Sequence, residues 1–339
     1  MLLNAVGERR LLFVGGKGGV GKTSLASALA LARAREGAKV LVVSTDPAHN
    51  LGHLWGCEVG DEPIRLATPG AGTGMLGGVL DGMEIDPQRT IERHLAAVER
   101  TMIRLLPERQ HGAARTHLER ARHAPGSHES AVLERIAEAA ELAETEYDLV
   151  VFDTAPSGHT LRLLSLPGQL AGWTESLLRS RDRSERFSAA MRGLAGRAEP
   201  TPDAEAELRR TLQRRRERFE SLQRAITTPD RAGFVVIFTA EALPVAETLE
   251  VVDVLTAMNV PVTALVANRR SPADAGELLR ERRVVEARHL STVREKLPGV
   301  PLVEVPLVAG ELTGLAALES LADLLVSRVV ERAKGDETG

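Results

Sequence analysis

Short apolar runs recur along the chain and predict the buried strands of one sheet. Longer stretches whose apolar positions have helical spacing lie between most of these runs. Strands and helices that alternate with short connections are typical of a parallel sheet covered by helices. The runs occupy residues 11–14, 38–43, 147–153, 233–238, 262–268 and 300–307.

Two longer stretches interrupt this alternation. Residues 87–142 have a mainly helical pattern, with a break at residues 123–127. Residues 165–226 differ in charge, because 179–224 contain 13 Arg and 8 Asp plus Glu in a chain whose net charge is −4. An apolar stripe at helical spacing runs along this stretch, and it either packs on the sheet or forms part of a surface for another protein. The stripe consists of Leu208, Leu212, Phe219, Leu222 and Ile226.

A glycine-rich loop follows the first predicted strand. Residues 16–23 fit the pattern G-x-x-x-x-G-K-T, and a predicted helix follows them, as a phosphate-binding loop requires. Glycines allow backbone N–H groups to surround a phosphate, and the start of the helix adds positive potential. Lys22 is expected to contact the β- and γ-phosphates and Thr23 to bind Mg²⁺. The alternative, a flexible turn, does not account for the strand and the helix.

Lys17 is a second lysine in the same loop. Of the 43 Lys and Arg residues in the chain, only five are lysines. A lysine is a compact charge on a flexible stem, which suits a phosphate where the fork of an arginine does not fit. Lys17 is therefore a candidate for phosphate binding, and the alternative is a solvated surface lysine.

Polar residues end three of the predicted strands. Ligands of parallel sheets bind beyond the carboxyl ends of the strands, so Asp46, Asp153 and Asn268 are expected to face one site. Asp46 could orient or deprotonate an attacking water, or it could cap a helix that begins near Pro47. Asp153 is expected to hold Mg²⁺ directly or through water. Asn268 offers a donor and an acceptor that match the edge of adenine, but it could equally stabilise a turn.

Composition narrows the classes of function. A hydrophobic content of 43% and a charged content of 27% are ordinary for a globular protein, and a net charge of −4 argues against a nucleic-acid binder. The single cysteine, Cys57, excludes an internal disulfide and a C-x-x-C metal site, and it is expected to be a small buried residue. The sequence contains no apolar run of membrane-spanning length and no signal-peptide layout, which predicts a cytoplasmic protein that meets a membrane only through a partner.

Six segments together resemble the family of arsenite-pump ATPases and tail-anchored-protein-targeting ATPases. They span nearly the whole chain in the order of the family, and the fourth is not shared by other families that carry the first. The segments are GGKGGVGKTS (15–24), STDPAHNLG (44–52), MEIDP (83–87), DTAPSGHTLRLLSLPG (153–168), TAEALPVAET (239–248) and ANRR (267–270).

The resemblance implies an α/β fold, namely a doubly wound, mostly parallel sheet of the P-loop NTPase type with a deviant Walker A loop and an inserted helical subdomain. The ATPase body would comprise residues 1–87, 131–168 and 227–335. Residues 88–130 and 169–226 would form the helical, client-facing part. ATP and Mg²⁺ are the implied cofactors, and a homodimer is the implied assembly.

The resemblance also assigns roles to site residues. Lys17 would act across the homodimer, Asp46 would position the attacking water, and Lys22 would contact the transferred phosphate. Thr23 and Asp153 would organise Mg²⁺. The implied nucleotide-binding residues are Gly15, Gly16, Lys17, Gly18, Gly19, Val20, Gly21, Lys22, Thr23, Ser24, Glu241, Asn268 and Pro306, the last of which would border the adenine.

The sequence departs from both branches of the family. Arsenite-stimulated members are usually two-halved and bind the metalloid through several cysteines, whereas one cysteine cannot supply three thiolates. Targeting members often share zinc through a C-x-x-C pair, but residues 269–290 contain no cysteine, so no zinc is expected. Three functions follow as hypotheses: a homodimeric ATPase switch for a membrane-protein client, the driving subunit of an arsenite or anion export pump, and a nucleotide-gated scaffold without catalysis.

Overall fold

The computed structural model describes residues 2–46, 50–69, 77–105, 111–112, 116, 119, 127–154 and 202–326. The strands of these described residues form one sheet in the order β3-β4-β2-β5-β1-β6-β7-β8. Within this described sheet, only the pair β3 and β4 is antiparallel, and all other neighbours are parallel. This arrangement confirms the predicted α/β class with a mostly parallel sheet. The strands are β1 (Leu11–Gly16), β2 (Lys39–Ser44), β3 (Ile64–Ala67), β4 (Val79–Glu84), β5 (Leu149–Asp153), β6 (Ala232–Thr239), β7 (Val262–Arg270) and β8 (Leu302–Pro306).

The helices lie on both faces of the sheet, which is the doubly wound arrangement. They are α1 (Leu2–Val6), α2 (Lys22–Arg35), α3 (Asn50–Trp55), α4 (Pro87–Leu105), α5 (Ser127–Thr145), α6 (Pro202–Ile226), α7 (Ala242–Ala257), α8 (Glu277–Lys296) and α9 (Leu315–Val326). No helix within the described residues has the length and apolar composition needed to cross a membrane.

Alternate residues of each central strand enter two separate hydrophobic cores. In β1, Phe13 faces the core formed with α5, α6, α7 and α8, whereas Leu12 and Val14 face the core formed with α1, α2, α3 and α9. The ring of Phe13 stacks on that of Phe152, with centroids 4.7 Å apart. Burial of each such side chain contributes about 1.5–3 kcal/mol. Because both faces are covered, the strands are apolar throughout, and this explains the continuous apolar runs of the sequence.

The end of α6 packs on the body of the molecule. Phe219, Leu222 and Ile226 are all buried in the core of α5 and β6. Arg218 on the same helix pairs with Glu138 of α5 at 3.0 Å. The stripe therefore serves packing at these three positions. The side chains of its first two members lie outside the described residues, as do residues 155–201, and the division into body and helical part stays a prediction.

One expectation about the surface was wrong. Cys57 is exposed rather than buried, because it lies in the turn after the short helix α3.

Candidate functional site

The glycine-rich loop joins β1 to α2 with a backbone that only glycine adopts readily. Gly19 and Gly21 have φ angles of 79° and 93°, in the left-handed region. A Cβ atom at Gly16 would lie 2.1 Å from the carbonyl oxygen of Ile237 on β6. A Cβ at Gly18 would meet nothing within 4 Å, so the tip of the loop is open. No side chain caps α2, and its first N–H groups are left for an anion.

Lys22, in the first turn of α2, is buried beneath the loop. Its Nζ donates a hydrogen bond to the carbonyl oxygen of Lys17 at 3.2 Å. Burial lowers the pKa of Lys22, and the charges of Asp153 and Asp46 oppose this effect. The structure thus brings together the lysine and the two acids that the sequence placed at three different points of the chain.

Asp153, at the end of β5, is the most unusual group of the site. Its side chain is almost fully buried, and neither carboxylate oxygen has a hydrogen-bond partner among the described residues. Burial raises the pKa of Asp153 to about 7, while the nearby Thr23 hydroxyl and Lys22 ammonium act in the opposite direction. The Thr23 hydroxyl lies close by without meeting the geometry of a hydrogen bond. A buried carboxylate without a partner, next to a hydroxyl, fits the oxygen ligands that Mg²⁺ prefers.

The segment that carries Asp46 is fixed on both sides. The N–H of Thr45 donates to the carbonyl oxygen of Asp153 at 2.9 Å. Residues 47–49 lie outside the described part. After them, the buried Glu84 at the end of β4 accepts hydrogen bonds from the N–H groups of Leu51 and Gly52 at 2.8 and 3.2 Å. Two strand ends therefore hold the segment near Lys22 and Asp153.

Asn268, at the carboxyl end of β7, braces the glycine loop. Its Nδ2 donates to the carbonyl oxygen of Val20 at 2.8 Å, and its Oδ1 accepts from the N–H of Arg269 at 2.9 Å. A Cβ at Gly21 would lie 2.6 Å from Nδ2, so the loop approaches this amide closely. The predicted contact with adenine stays a prediction.

Glu241 and Pro306 lie at neighbouring strand ends rather than at the loop. Glu241 immediately precedes α7, and its Oε1 accepts a hydrogen bond from Arg282 of α8 at 2.7 Å. Pro306 ends β8 opposite Arg270 of β7. Among these three residues, only Asn268 has a hydrogen bond to the glycine loop within the described part of the chain.

Lys17 turns away from the centre of the loop. Its Nζ pairs with Oε1 of Glu247 on α7 at 2.6 Å, and the side chains are 45% and 35% exposed. An ion pair this exposed contributes about 0–1 kcal/mol, so it does not fix the lysine strongly. Within one chain Lys17 therefore has a weak partner on the surface, from which it can be released.

Thr154 is a residue of the site that sequence reasoning missed. Its Oγ1 and its N–H both donate to the carbonyl oxygen of Val14, at 2.8 and 3.1 Å, and tie β5 to β1 directly below the loop. The sequence did contain a signal for Thr154, because this residue follows Asp153 in DTAPSGHTLRLLSLPG (153–168), one of the six segments that resemble the family. Most of that segment, from residue 155 on, lies outside the described residues.

Comparison with known proteins places the chain in a family. The family model of anion-transporting ATPases matches residues 9–327. The ATPase get3 of Aspergillus niger is 31% identical over 326 residues, which cover 95% of this chain and 91% of that protein. ATPase GET3B of Arabidopsis thaliana is 30% identical over 336 residues, covering 94% and 79%. A putative arsenical pump-driving ATPase 2 of Aquifex aeolicus is 28% identical over 317 residues, covering 93% and 99%.

These matches extend over nearly the whole chain and agree with the family that the six segments indicated. The chain belongs to the anion-transporting ATPase family and is an ATPase.

Proposed function

We propose that the chain is a Mg²⁺-dependent, homodimeric ATPase switch that opens and closes a helical surface for a membrane-protein client. The observation that carries the proposal is the buried Asp153 carboxylate, which has no hydrogen-bond partner among the described residues and lies beside Lys22 under an open glycine loop. The names of two of the relatives above, ATPase get3 and ATPase GET3B, favour the switch over the pump.

Each site residue has a role in this proposal. Thr23 and Asp153 would hold Mg²⁺, which neutralises the charge that develops on the phosphates. Residues 15–24 would surround the phosphates, with Lys22 at the β- and γ-groups. Asp46 would orient the attacking water and accept its proton. Glu241 and Asn268 would contact the nucleotide, and Pro306 would border the adenine.

A short segment of the chain supports coupling between the site and the helices. Glu84 holds the segment after Asp46, and two residues later Asp86 caps α4 by accepting from the N–H of Arg89 at 3.1 Å. Asp61 accepts from the N–H of Asp86 at 3.3 Å and from Nε of Arg135 on α5 at 3.1 Å. Movement of the Asp46 segment would thus reach α4 and α5 through residues 84–86.

The proposal is tested by phosphate release and molecular mass. The wild-type chain is expected to release phosphate from ATP only when Mg²⁺ is present, and light scattering is expected to give the mass of two chains with ATP. Phosphate release in the presence of EDTA would contradict the proposal. So would the mass of a single chain both without nucleotide and with ATP or ADP.

The export-pump alternative rests on the name of the Aquifex aeolicus relative. The single cysteine opposes it, because several thiolates are needed to bind a metalloid. Arsenite or antimonite should therefore leave ATP hydrolysis unchanged, and stimulation by either would restore this alternative.

Lys17→Arg separates the two possible uses of this lysine. Arginine can keep the ion pair with Glu247, but its planar fork does not fit a site built for a point charge. If Lys17 acts on the phosphates of the partner's nucleotide, we expect kcat to fall about tenfold or more, with little change in the Kd of ATP. Lys17→Ala should behave in the same way. Unchanged turnover of both variants in a confirmed dimer would reject the role across the interface.

Glu84 is expected to act through position rather than through contact with ATP. Glu84→Ala removes the acceptor of two N–H groups, which should loosen the Asp46 segment and lower kcat by about ten- to a hundredfold. Glu84→Gln keeps an oxygen acceptor at the same place and should stay within about threefold of wild type. Steady-state kinetics decide between these outcomes, and equal loss in both variants would mean that the negative charge matters instead.

A further inference from the structure

A connected group of charged and polar side chains lies where β7 and β8 end and joins these strands to α8. Its centre is the pair Arg270 and Glu286, both of which are nearly fully buried. We call this group the Glu286 cluster, and it consists of Glu241, Arg270, Ser271, Arg282, Glu286, Arg294 and Glu304.

Glu286 uses both of its oxygens. Oε2 accepts hydrogen bonds from Nη1 of Arg270 and from the N–H of Ser271, the latter at 3.0 Å. Oε1 accepts from Oγ of Ser271 at 2.7 Å and from Nε of Arg282 at 3.1 Å. Burial alone would raise the pKa of Glu286, but these bonds and the charge of Arg270 lower it. The carboxylate therefore stays ionised although it is buried.

Arg270 connects the end of β7 to β8. Its Nε donates to Oε2 of Glu304 at 2.7 Å, and its carbonyl oxygen accepts from the N–H of Leu307 at 2.8 Å. Pro306 lies directly opposite Arg270 in the strand register. The cluster thus fixes the ends of the two strands relative to α8.

Asn268 and Pro306, the residues expected at the adenine, lie next to members of this cluster, and Glu241, implied for the nucleotide, belongs to it. Asn268 precedes Arg270 by two residues on β7, Pro306 faces Arg270, and Glu241 is bonded to Arg282. We propose that Arg270 and Glu286 are positioning residues that set the shape of the base side of the nucleotide site, and with it the discrimination between adenine and other bases. This inference rests on the proposed function, because it needs a nucleotide in the loop.

The chemistry of the cluster supports a positioning role more than a stabilising one. A buried ion pair is often no more stable than well-packed apolar side chains of the same volume, but its geometry is specific. The network holds the ends of two strands and a helix in one arrangement through directional bonds. A base pocket needs such an arrangement, since it discriminates through the placement of a few polar groups.

Glu286→Gln tests the inference. The new amide places a donor against donors from Arg270 or Ser271, so the strand ends should shift while the glycine loop stays intact. Calorimetry is expected to show an about tenfold weaker Kd for ADP and an unchanged Kd for pyrophosphate, which carries no base. The ratio of kcat/KM for ATP over GTP should fall by a similar factor. A fold defect alone would not distinguish ADP from pyrophosphate.

Two further variants make the test independent of folding. Arg282→Ala removes an exposed member of the cluster, with 52% of its side chain exposed, and should weaken ADP about threefold without affecting pyrophosphate. Arg35→Ala breaks an exposed ion pair with Asp323, outside the cluster, and should change neither ligand. The inference would be overturned if a cluster variant weakened the binding of ADP and of pyrophosphate equally. It would also be overturned if neither Glu286→Gln nor Arg282→Ala changed the Kd of either ligand. A wild-type chain that binds pyrophosphate but does not hydrolyse ATP would instead refute the proposed function.

Discussion

Lys22→Ala is expected to reduce ATP hydrolysis by at least about a hundredfold, the scale of losing one donor that stabilises transition-state charge. The lysine is buried under the glycine loop, and water cannot easily replace its charge. Its loss should also affect the proposed Mg²⁺ site, because Lys22 lowers the pKa of Asp153. Without the lysine that pKa, already about 7, rises further, and the carboxylate becomes a weaker ligand for Mg²⁺. Phosphate release under saturating MgATP measures the effect.

The matched control for this change is Lys296→Ala. Lys296 is the exposed last residue of α8, and its replacement also removes one positive charge from a helix. Its turnover should remain within about twofold of wild type. Turnover retained by Lys22→Ala, in a protein whose unfolding temperature is unchanged, would show that the glycine loop does not bind the phosphates as proposed.

The central strands were predictable because burial on both faces leaves a local trace. In β1, β2, β5, β6 and β7 nearly every residue is buried, so each strand is a continuous apolar run. The topology places the strand ends side by side, and this is why the sequence alone predicts that Asp46 and Asp153 belong to one site.

β4 was missed because its partners are distant in sequence. It contains Asp81 and Gly82, which are unusual in a buried strand. The carboxylate of Asp81 accepts from Oη of Tyr147 at 2.8 Å and pairs with Arg65 at 2.5 Å. A Cβ at Gly82 would lie 2.4 Å from the side chain of Leu66 on β3. These contacts make Asp81 and Gly82 acceptable in a buried strand, but they are not visible in the local sequence pattern.

The same limit applies to the site. The sequence predicted residues for direct ligand binding, because their type and spacing follow the chemistry of phosphate. It did not identify Glu84 or Glu286. Glu84 accepts from N–H groups 33 and 32 residues away, and Glu286 accepts from Arg270 and Ser271, which lie 16 and 15 residues away. Helix α8 was not predicted from the sequence. The first buried residue of this helix is Glu286, so its buried face starts with a charged side chain instead of an apolar one.

Asp46→Asn is expected to lower kcat by about 10²- to 10⁴-fold, the usual contribution of a general base. Binding of MgATP should be retained. Asp46 raises the pKa of Asp153, so removing its charge favours the ionised Asp153 and does not weaken Mg²⁺. Asparagine has the size of aspartate but cannot accept a proton from water. Single-turnover hydrolysis and the Kd of MgATP, measured on one preparation, separate the two effects.

Asp253→Asn is the control, because Asp253 is exposed on α7 and its loss should leave kcat unchanged. The Asp46→Asn dimer should also persist after ATP is added, since the γ-phosphate is not released, and this makes it the protein of choice for capturing a client. Slow turnover that Asp46→Asn leaves unchanged would favour the nucleotide-gated scaffold over the switch. Loss of MgATP binding together with kcat would instead place Asp46 among the metal ligands. Retained binding with lost turnover is the one combination that a base at this position produces, because only the step that consumes water then fails.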